Sequence, residues 1–255
     1  MIECKKLSCS YGRQFSKSAV SSVSLCAKDG RACVILGLNG SGKTTLLRAI
    51  SGRLRYSGSA KIDGAEVSAL KPRMLASRLS VMPQRLPEPK GVSVEDLVTF
   101  ARSPYMGHSQ IMSEKDRLIV SEAIKQVGMS SYSQRRLTEL SGGEKQKAFL
   151  AMLLAQQTDN VILDEPTANL DVSNKQELLR FIIQMKAKGK AILCVLHDLN
   201  DALSIADEIC VIEKGESVFF GTKEEFLEQK IAQRCFNVKE ISAEGRTFFI
   251  SNVNQ

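Results

Sequence analysis

The sequence predicts an α/β domain built around a mainly parallel sheet, and three observations carry that reading. A short apolar run, Ala32-Cys33-Val34-Ile35-Leu36, ends at a glycine-rich turn that leads into residues at helical spacing. Two further near-continuous apolar runs, Val161 to Leu163 and Ala191 to Leu196, are separated by a helical stretch. Between these two parts lies a more polar, helix-rich segment.

The opening third reads as strands and turns. After Gly37 and the turn that follows, Thr44 to Ile50 carries apolar residues at helical spacing, so this unit is strand, loop, helix. Residues 56–83 return to β-like pieces divided by Gly58 and by Asp63-Gly64, with a short helix opening at Pro72. Pro87, Pro89 and Gly91 mark a boundary, beyond which Ser93-Val94-Glu95-Asp96 and Ser113-Glu114-Lys115-Asp116 read as helix N-caps with an acid in the first turn. Gly128 ends the second of these helices. After residue 156 buried strands resume around a helix from Asn174 to Lys188, which stops at Gly189. Thr222-Lys223-Glu224-Glu225 fits a capping box, and Thr247 to Val253 reads as one more strand.

Composition narrows the class. Hydrophobic residues at 43% and charged residues at 25% are near globular averages, which argues against a disordered or fibrous chain. The formal charge of +7 is compatible with nucleic acid, nucleotides or an acidic lipid surface, but the basic residues are scattered and read as a solvated surface. One of the longest apolar runs, Ala148 to Ala155, falls well short of the roughly 18 residues of a membrane-spanning helix. The first residues lack the pattern of a signal peptide, so any membrane is expected to be reached through a partner. Cys4, Cys9, Cys26, Cys33, Cys194, Cys210 and Cys235 form no metal-like spacing and are expected to be reduced, buried small hydrophobes.

Gly37-Leu38-Asn39-Gly40-Ser41-Gly42-Lys43-Thr44 satisfies GxxxxGK[ST]. The glycines let the backbone curl so that successive N–H groups face phosphate oxygens, Lys43 neutralises phosphate charge, and Thr44 offers a ligand to Mg²⁺. Val161-Ile162-Leu163-Asp164-Glu165 supplies the other half: a strand ending in Asp164 places a carboxylate on the metal or its water shell, and Glu165 stands where it can polarise an attacking water. Leu140-Ser141-Gly142-Gly143-Glu144 is a capping box whose two glycines leave N–H groups free, a geometry that also simply begins a helix.

With these motifs in this order the chain resembles the ATP-binding-cassette (ABC) ATPases over nearly its whole length. The resemblance implies an ABC-type P-loop NTPase: a RecA-like core over about 1–85 and 157–240, an antiparallel β part, an inserted helical subdomain over about 86–156 and a C-terminal tail over about 222–255. Within it Tyr11 resembles the aromatic residue that stacks on adenine, although a tyrosine there could also be a packed strand or turn residue. Gln84 resembles the glutamine that senses Mg²⁺ and attacking water, and His197 the histidine that contacts the γ-phosphate. Asn169-Leu170-Asp171 resembles the loop used for communication across a dimer, and Asp171 also reads as a helix N-cap. The second histidine, His108, matches no motif.

The resemblance implies ATP and Mg²⁺ as cofactors and a composite site. Gly37, Asn39, Gly40, Ser41, Gly42, Lys43, Thr44 and Thr45 of one chain would face Ser141, Gly142, Gly143 and Glu144 of a second copy, with ATP between them in a head-to-tail dimer. Expected partners are that copy, integral membrane permease subunits and, indirectly, a periplasmic or surface solute-binding protein, the chain lying on the cytoplasmic face of the membrane. Val94 to Val98, Ala101-Arg102-Ser103-Pro104-Tyr105 and His197-Asp198-Leu199-Asn200 are similar to importer ATPases for iron–siderophore, haem and cobalamin, with Ala101 departing from a frequent glycine. ATPases for metal ions or other solutes share much of that pattern. A nucleic-acid-processing relative is the alternative of another class, but the long coiled coils or zinc modules of such proteins are missing here, and no nucleic acid is expected.

Overall fold

A computed structural model describes residues 1–11, 19–107, 111–168, 170–243 and 246–252. His108, Asn169 and Val253 lie outside the described residues. The chain opens with β1 (Ile2–Cys9), β2 (Val20–Ala27), β3 (Ala32–Leu36), α1 (Lys43–Ile50), β4 (Tyr56–Ile62), β5 (Ala65–Glu66), α2 (Pro72–Ala76) and β6 (Leu79–Met82). Helices α3 (Val94–Phe100), α4 (Glu114–Gln126) and α5 (Gly142–Gln156) follow. Next come β7 (Asn160–Asp164), α6 (Val172–Ala187), β8 (Ala191–Val195), α7 (Leu199–Ile205), β9 (Glu208–Glu213) and β10 (Glu216–Thr222). The chain then forms α8 (Lys223–Glu228), α9 (Ile231–Phe236), β11 (Val238–Ala243) and β12 (Arg246–Ser251).

The main sheet has the order β10-β9-β3-β8-β7-β6; every pairing from β9 to β6 is parallel, and β10 closes the edge antiparallel to β9. Every residue of β3, β7 and β8 is buried, which is why these strands read as unbroken apolar runs. Alternate side chains feed two cores, as the two-residue strand period requires. Val34, Leu36, Val161, Leu163, Ile192 and Cys194 pack with the helices on one face. Cys33, Ile35, Ile162, Leu193 and Val195 pack on the other face with α1 and with the antiparallel sheet β2-β1-β4-β5. Strands β11 and β12 form a separate hairpin.

The helix starts follow their caps. Ser93, Ser113, Ser141 and Thr222 each accept the N–H three residues on, with the acid at that position returning the bond. Helix α6 begins at Val172 rather than Asn174, because Asp171 caps it and recruits two more residues. The strand expected to reach Leu196 stops at Val195, and the last strand runs from Arg246 to Ser251. All seven cysteines are free thiols, but only five are buried: Cys26 and Cys235 are half-buried. Among the described residues no helix is long and apolar enough to cross a membrane.

Candidate nucleotide site

The parallel strands all deliver residues to one cleft beyond their carboxyl ends, where open parallel sheets place ligands. Strand β3 runs into Gly37, β6 leads to Gln84, β7 ends in Asp164 with Glu165 directly after it, β8 leads to His197 and β9 to Lys214. Tyr11, Lys43, Thr44, Gln84, Glu165 and His197 line this cleft of about 990 Å³.

The loop from Gly37 to Gly42 fits where side chains cannot. A Cβ on Gly37, at φ 154°, would lie 2.3 Å from the Ile212 carbonyl oxygen, and one on Gly42, at φ 108°, would lie 2.6 Å from that of Ala19. Asn39 and Gly40 stand exposed at the loop tip, whereas Ser41 and Thr45 are buried beneath it. Lys43 Nζ donates to the Gly37 and Leu38 carbonyls at 2.8 and 3.0 Å, so its ammonium points into the loop's own curl. Burial pushes the Lys43 ammonium down from its ordinary pKa, against the opposing pull of Glu165 and Asp164. The buried Ser41 hydroxyl oxygen has no protein partner among the described residues.

Thr44 Oγ1 donates to Asp164 Oδ1 at 3.3 Å, joining the helix start to the strand end. A hydroxyl beside a carboxylate is the donor set a hard divalent cation such as Mg²⁺ takes. Burial raises the Asp164 carboxyl above its ordinary value; the Thr44 bond works against this, and the neighbouring Glu165 charge adds to it. A bound cation would reverse that upward shift.

Glu165 has the left-handed backbone at φ 52°, and its N–H reaches the Val195 carbonyl at 3.2 Å. That turn separates its side chain from Asp164 and sets it between two neighbours. Gln84 Nε2 donates to Oε2 at 2.6 Å, and His197 Nε2 lies 2.6 Å from Oε1. Gln84, Glu165 and His197, three residues from three strand ends, therefore form one contact chain. Gln146, buried in α5, donates to the Pro166 carbonyl and holds the turn after Glu165 from the other side.

Tyr11 is 55% exposed, so it is not a packed core residue. Its hydroxyl lies 3.2 Å from Thr45 Oγ1 and accepts from Arg48 at 3.2 Å, which leaves the ring on the cleft. Lys214 and Gly215 also line the cleft from the β9–β10 turn. Sequence reading missed Arg48, Gln146 and Lys214. Only the Lys-Gly turn gave a local signal there, since both residues take positive φ in a tight hairpin.

Ser141 to Glu144 stand elsewhere. Ser141 and Gly142 are exposed, and none of the four lines the cleft beside the P-loop. Gly142 lines an adjacent cleft with Gln84, Lys145 and Glu165. Glu144 accepts the Ser141 N–H at 2.8 Å, and the bonds from Ser141 hold its carboxyl below the ordinary range. Asp171 is a helix cap in fact, accepting the Asn174 N–H at 2.8 Å and its side-chain amide at 2.7 Å. That amide nitrogen would lie 3.0 Å from a Cβ on Gly143, so Asp171 and the start of α5 meet through Asn174.

The sequence model for ABC transporters matches residues 20–168, more than half of the chain. This chain belongs to the ABC transporter family. It is an ATP-binding, ATP-hydrolysing cassette of that family. The cassette is 33% identical over 240 residues to the petrobactin import ATP-binding protein FpuD of Bacillus anthracis, covering 93% of this chain and 87% of that one. It is 33% identical over 244 residues to the hemin import ATP-binding protein HmuV of Chelativorans sp. (strain BNC1), covering 93% and 91%. Among solved structures, a transporter assigned to the metal-chelate type in an inward-facing conformation superposes with a TM-score of 0.82 at 22% identity, covering 98% of this chain and 96% of that one. The α/β architecture is thus that of an ABC cassette.

Proposed function

We propose that this cassette energises uptake of an iron chelate or haem through a membrane permease, working as a pair of copies. The observation that carries the pairing is the separation within one chain: P-loop residues, Glu165, His197 and Gln84 share a cleft, with Asp164 bonded to Thr44 at its edge, while Ser141 to Glu144 lie outside it with Ser141 and Gly142 exposed. A second copy, head to tail, supplies the free N–H groups of its α5 start to the phosphates held by the first. The cargo class rests on the relatives, whose names specify import of petrobactin and hemin. Cobalamin and other metal cargoes remain within the broader reading.

In this mechanism Gly37 to Thr45 bind the phosphates, with Lys43 as the counter-charge. Thr44, Asp164 and Gln84 would hold Mg²⁺, which would supply positive charge against the phosphate oxygens. Tyr11 stacks on the base. Glu165 orients the attacking water and accepts its proton, while His197 and Gln84 set the position of its carboxylate. Residues about 86–156 act as a helical subdomain against the core of about 1–85 and 157–240, and residues 222–255 form the tail. The cassette lies on the cytoplasmic face of the membrane beside the permease, and a solute-binding protein delivers cargo on the far side.

Glu165→Gln keeps the side chain's shape and removes the base. Light-scattering mass of this variant is expected to double on adding ATP, and to fall back when Gly143→Asp is combined with it. A monomeric mass at saturating ATP would overturn the pairing.

A further inference from the structure

The C-terminal hairpin is docked on the segment that carries His197. Helix α7 begins two residues after that histidine, and Asp198 caps it by accepting the N–H groups of Asn200 at 2.8 Å and Asp201 at 3.0 Å. His197 therefore stands immediately before a fastened helix start, with Asp198 as the cap between them. Asn200 reaches away from the site to the hairpin: its Oδ1 accepts the Phe249 N–H at 2.8 Å, and its Nδ2 donates to the Phe249 carbonyl at 3.1 Å. One planar amide thus satisfies both backbone groups of one residue, as a neighbouring strand would. That pairing fixes α7 along and across the strand direction at once.

The far side of the bond is anchored. Phe249 is 5% exposed and meets Phe226 edge to face at 6.4 Å between ring centres; Phe226 is fully buried and meets Phe219 of β10 in the same way at 5.8 Å. The hairpin's own Phe249 is thus seated on Phe226, which is backed in turn by Phe219, so the hairpin is anchored to the core at the residue that Asn200 holds. Helix α7 is also tied to α6, because Lys175 Nζ lies 3.1 Å from Asp201 Oδ1 while the Lys175 N–H bonds the Asp171 carbonyl at 2.9 Å.

We propose that Asn200 is a positioning residue for ATP hydrolysis, through which the C-terminal hairpin sets where His197 meets Glu165. This rests on the reading of Glu165 and His197 as the hydrolytic pair. The line of contacts is short: Phe249 to Asn200, the capped start of α7, His197, and then Glu165 Oε1 at 2.6 Å. The nucleotide's binding groups on the P-loop and Tyr11 take no part in it, so the effect belongs to turnover and not to ATP affinity.

Asn200→Leu keeps the volume and removes both bonds. It is expected to lower kcat by about tenfold, leaving KM for ATP within about twofold, the pattern of a misplaced catalytic contact. Asn200→Ser, too short to span both groups of Phe249, is expected to do the same to a lesser degree and serves where the leucine variant folds poorly. The deciding readout is the imidazole NMR signal of His197, one of only two histidines in the chain and identified by its loss in His197→Ala. That signal should move in both Asn200 variants of the full-length chain. An unmoved signal, or a KM that changes as much as kcat, overturns the positioning role. Should His197→Ala turn over at the parent rate, it is the hydrolytic reading of His197 that fails, and the shift of the signal still decides whether the hairpin positions it.

Discussion

Replacing Arg102 by methionine tests what the Ala101 to Tyr105 segment does for the molecule. The guanidinium, with its side chain 5% exposed, bonds Asp116 Oδ1 at 2.8 Å, the Ala155 carbonyl at 2.7 Å and Gln157 Oε1 at 3.2 Å. It also lies 4.1 Å from the Tyr105 ring centre, and the Tyr105 hydroxyl donates to the Gln156 carbonyl at 2.7 Å. One side chain thus ties the turn after α3 to α4 and to the end of α5. Removing one partner of a buried ion pair costs about 3–5 kcal/mol. Asp116 keeps the Ser113 hydroxyl at 2.5 Å, which argues for the low end of that range. The Ala155 carbonyl left without its donor adds about 1 kcal/mol, and the methionine stem restores part of the packing. The net expectation is about 3 kcal/mol, read by urea unfolding as a midpoint lowered by about 1 M at a slope of about 3 kcal/mol per molar. A shift below about 0.3 M would refute the reasoning, since it would mean that the buried bonds contribute less than about 1 kcal/mol net.

The same site sets a pH signature. The Ser113 hydroxyl first, and Arg102 after it, hold the Asp116 carboxyl below its ordinary value. Folding therefore favours the charged form; the stabilisation is complete above the unfolded carboxylate value, near about pH 4, and is lost as pH falls through the lower folded value. The stability gap between the parent and Arg102→Met should accordingly stay constant down to about pH 5 and narrow as pH falls through and below about 4.

Three further outcomes follow from the site. Glu165→Gln should bind ATP with the parent affinity and release phosphate at least about a hundredfold more slowly; comparable release would remove Glu165 from its role. Tyr11→Ala should raise the dissociation constant for ATP about fivefold, equivalent to about 1 kcal/mol, whereas Tyr11→Phe keeps the ring and should stay near the parent; equal losses in both would mean that the hydroxyl bonds to Thr45 and Arg48 matter instead. Gly37→Ala forces a Cβ to within 2.3 Å of the Ile212 carbonyl oxygen, so calorimetry should show Tm lower by about 4–8 °C for a cost of about 2 kcal/mol; an unchanged Tm would show that the loop relaxes freely.

Local chemistry was written plainly in the sequence. The strand before Gly37, the caps at Ser93, Ser113, Ser141 and Thr222 and the buried runs of β3, β7 and β8 depend on neighbours within a few residues, so spacing alone reveals them. The P-loop glycines, Lys43, Asp164 and Glu165 were legible for the same reason, and the order of motifs pointed to the family that the relatives then showed. Asp171 was legible as a cap but not the meeting of its partner Asn174 with Gly143, which joins two helices distant in sequence.

What only the tertiary structure decided is convergence. Gln84 and His197 are separated from Glu165 by 81 and 32 residues, and nothing local says that both reach the same carboxylate. The parallel order β6-β7-β8 puts them there, because neighbouring strands end at the same level and only about 4.8 Å apart. Arg48 beneath Tyr11, Gln146 behind Pro166 and Asn200 on Phe249 are likewise invisible as motifs, since each is a lone polar residue whose meaning is its partner. The sequence by itself singled out the candidate residues for phosphate and metal chemistry and showed that helices would interrupt the core. The packing of the sheet decided which of those residues touch, and that the Ser141 to Glu144 segment stands outside the cleft, because a single chain's strand order leaves the start of α5 outside the cleft above the strand ends.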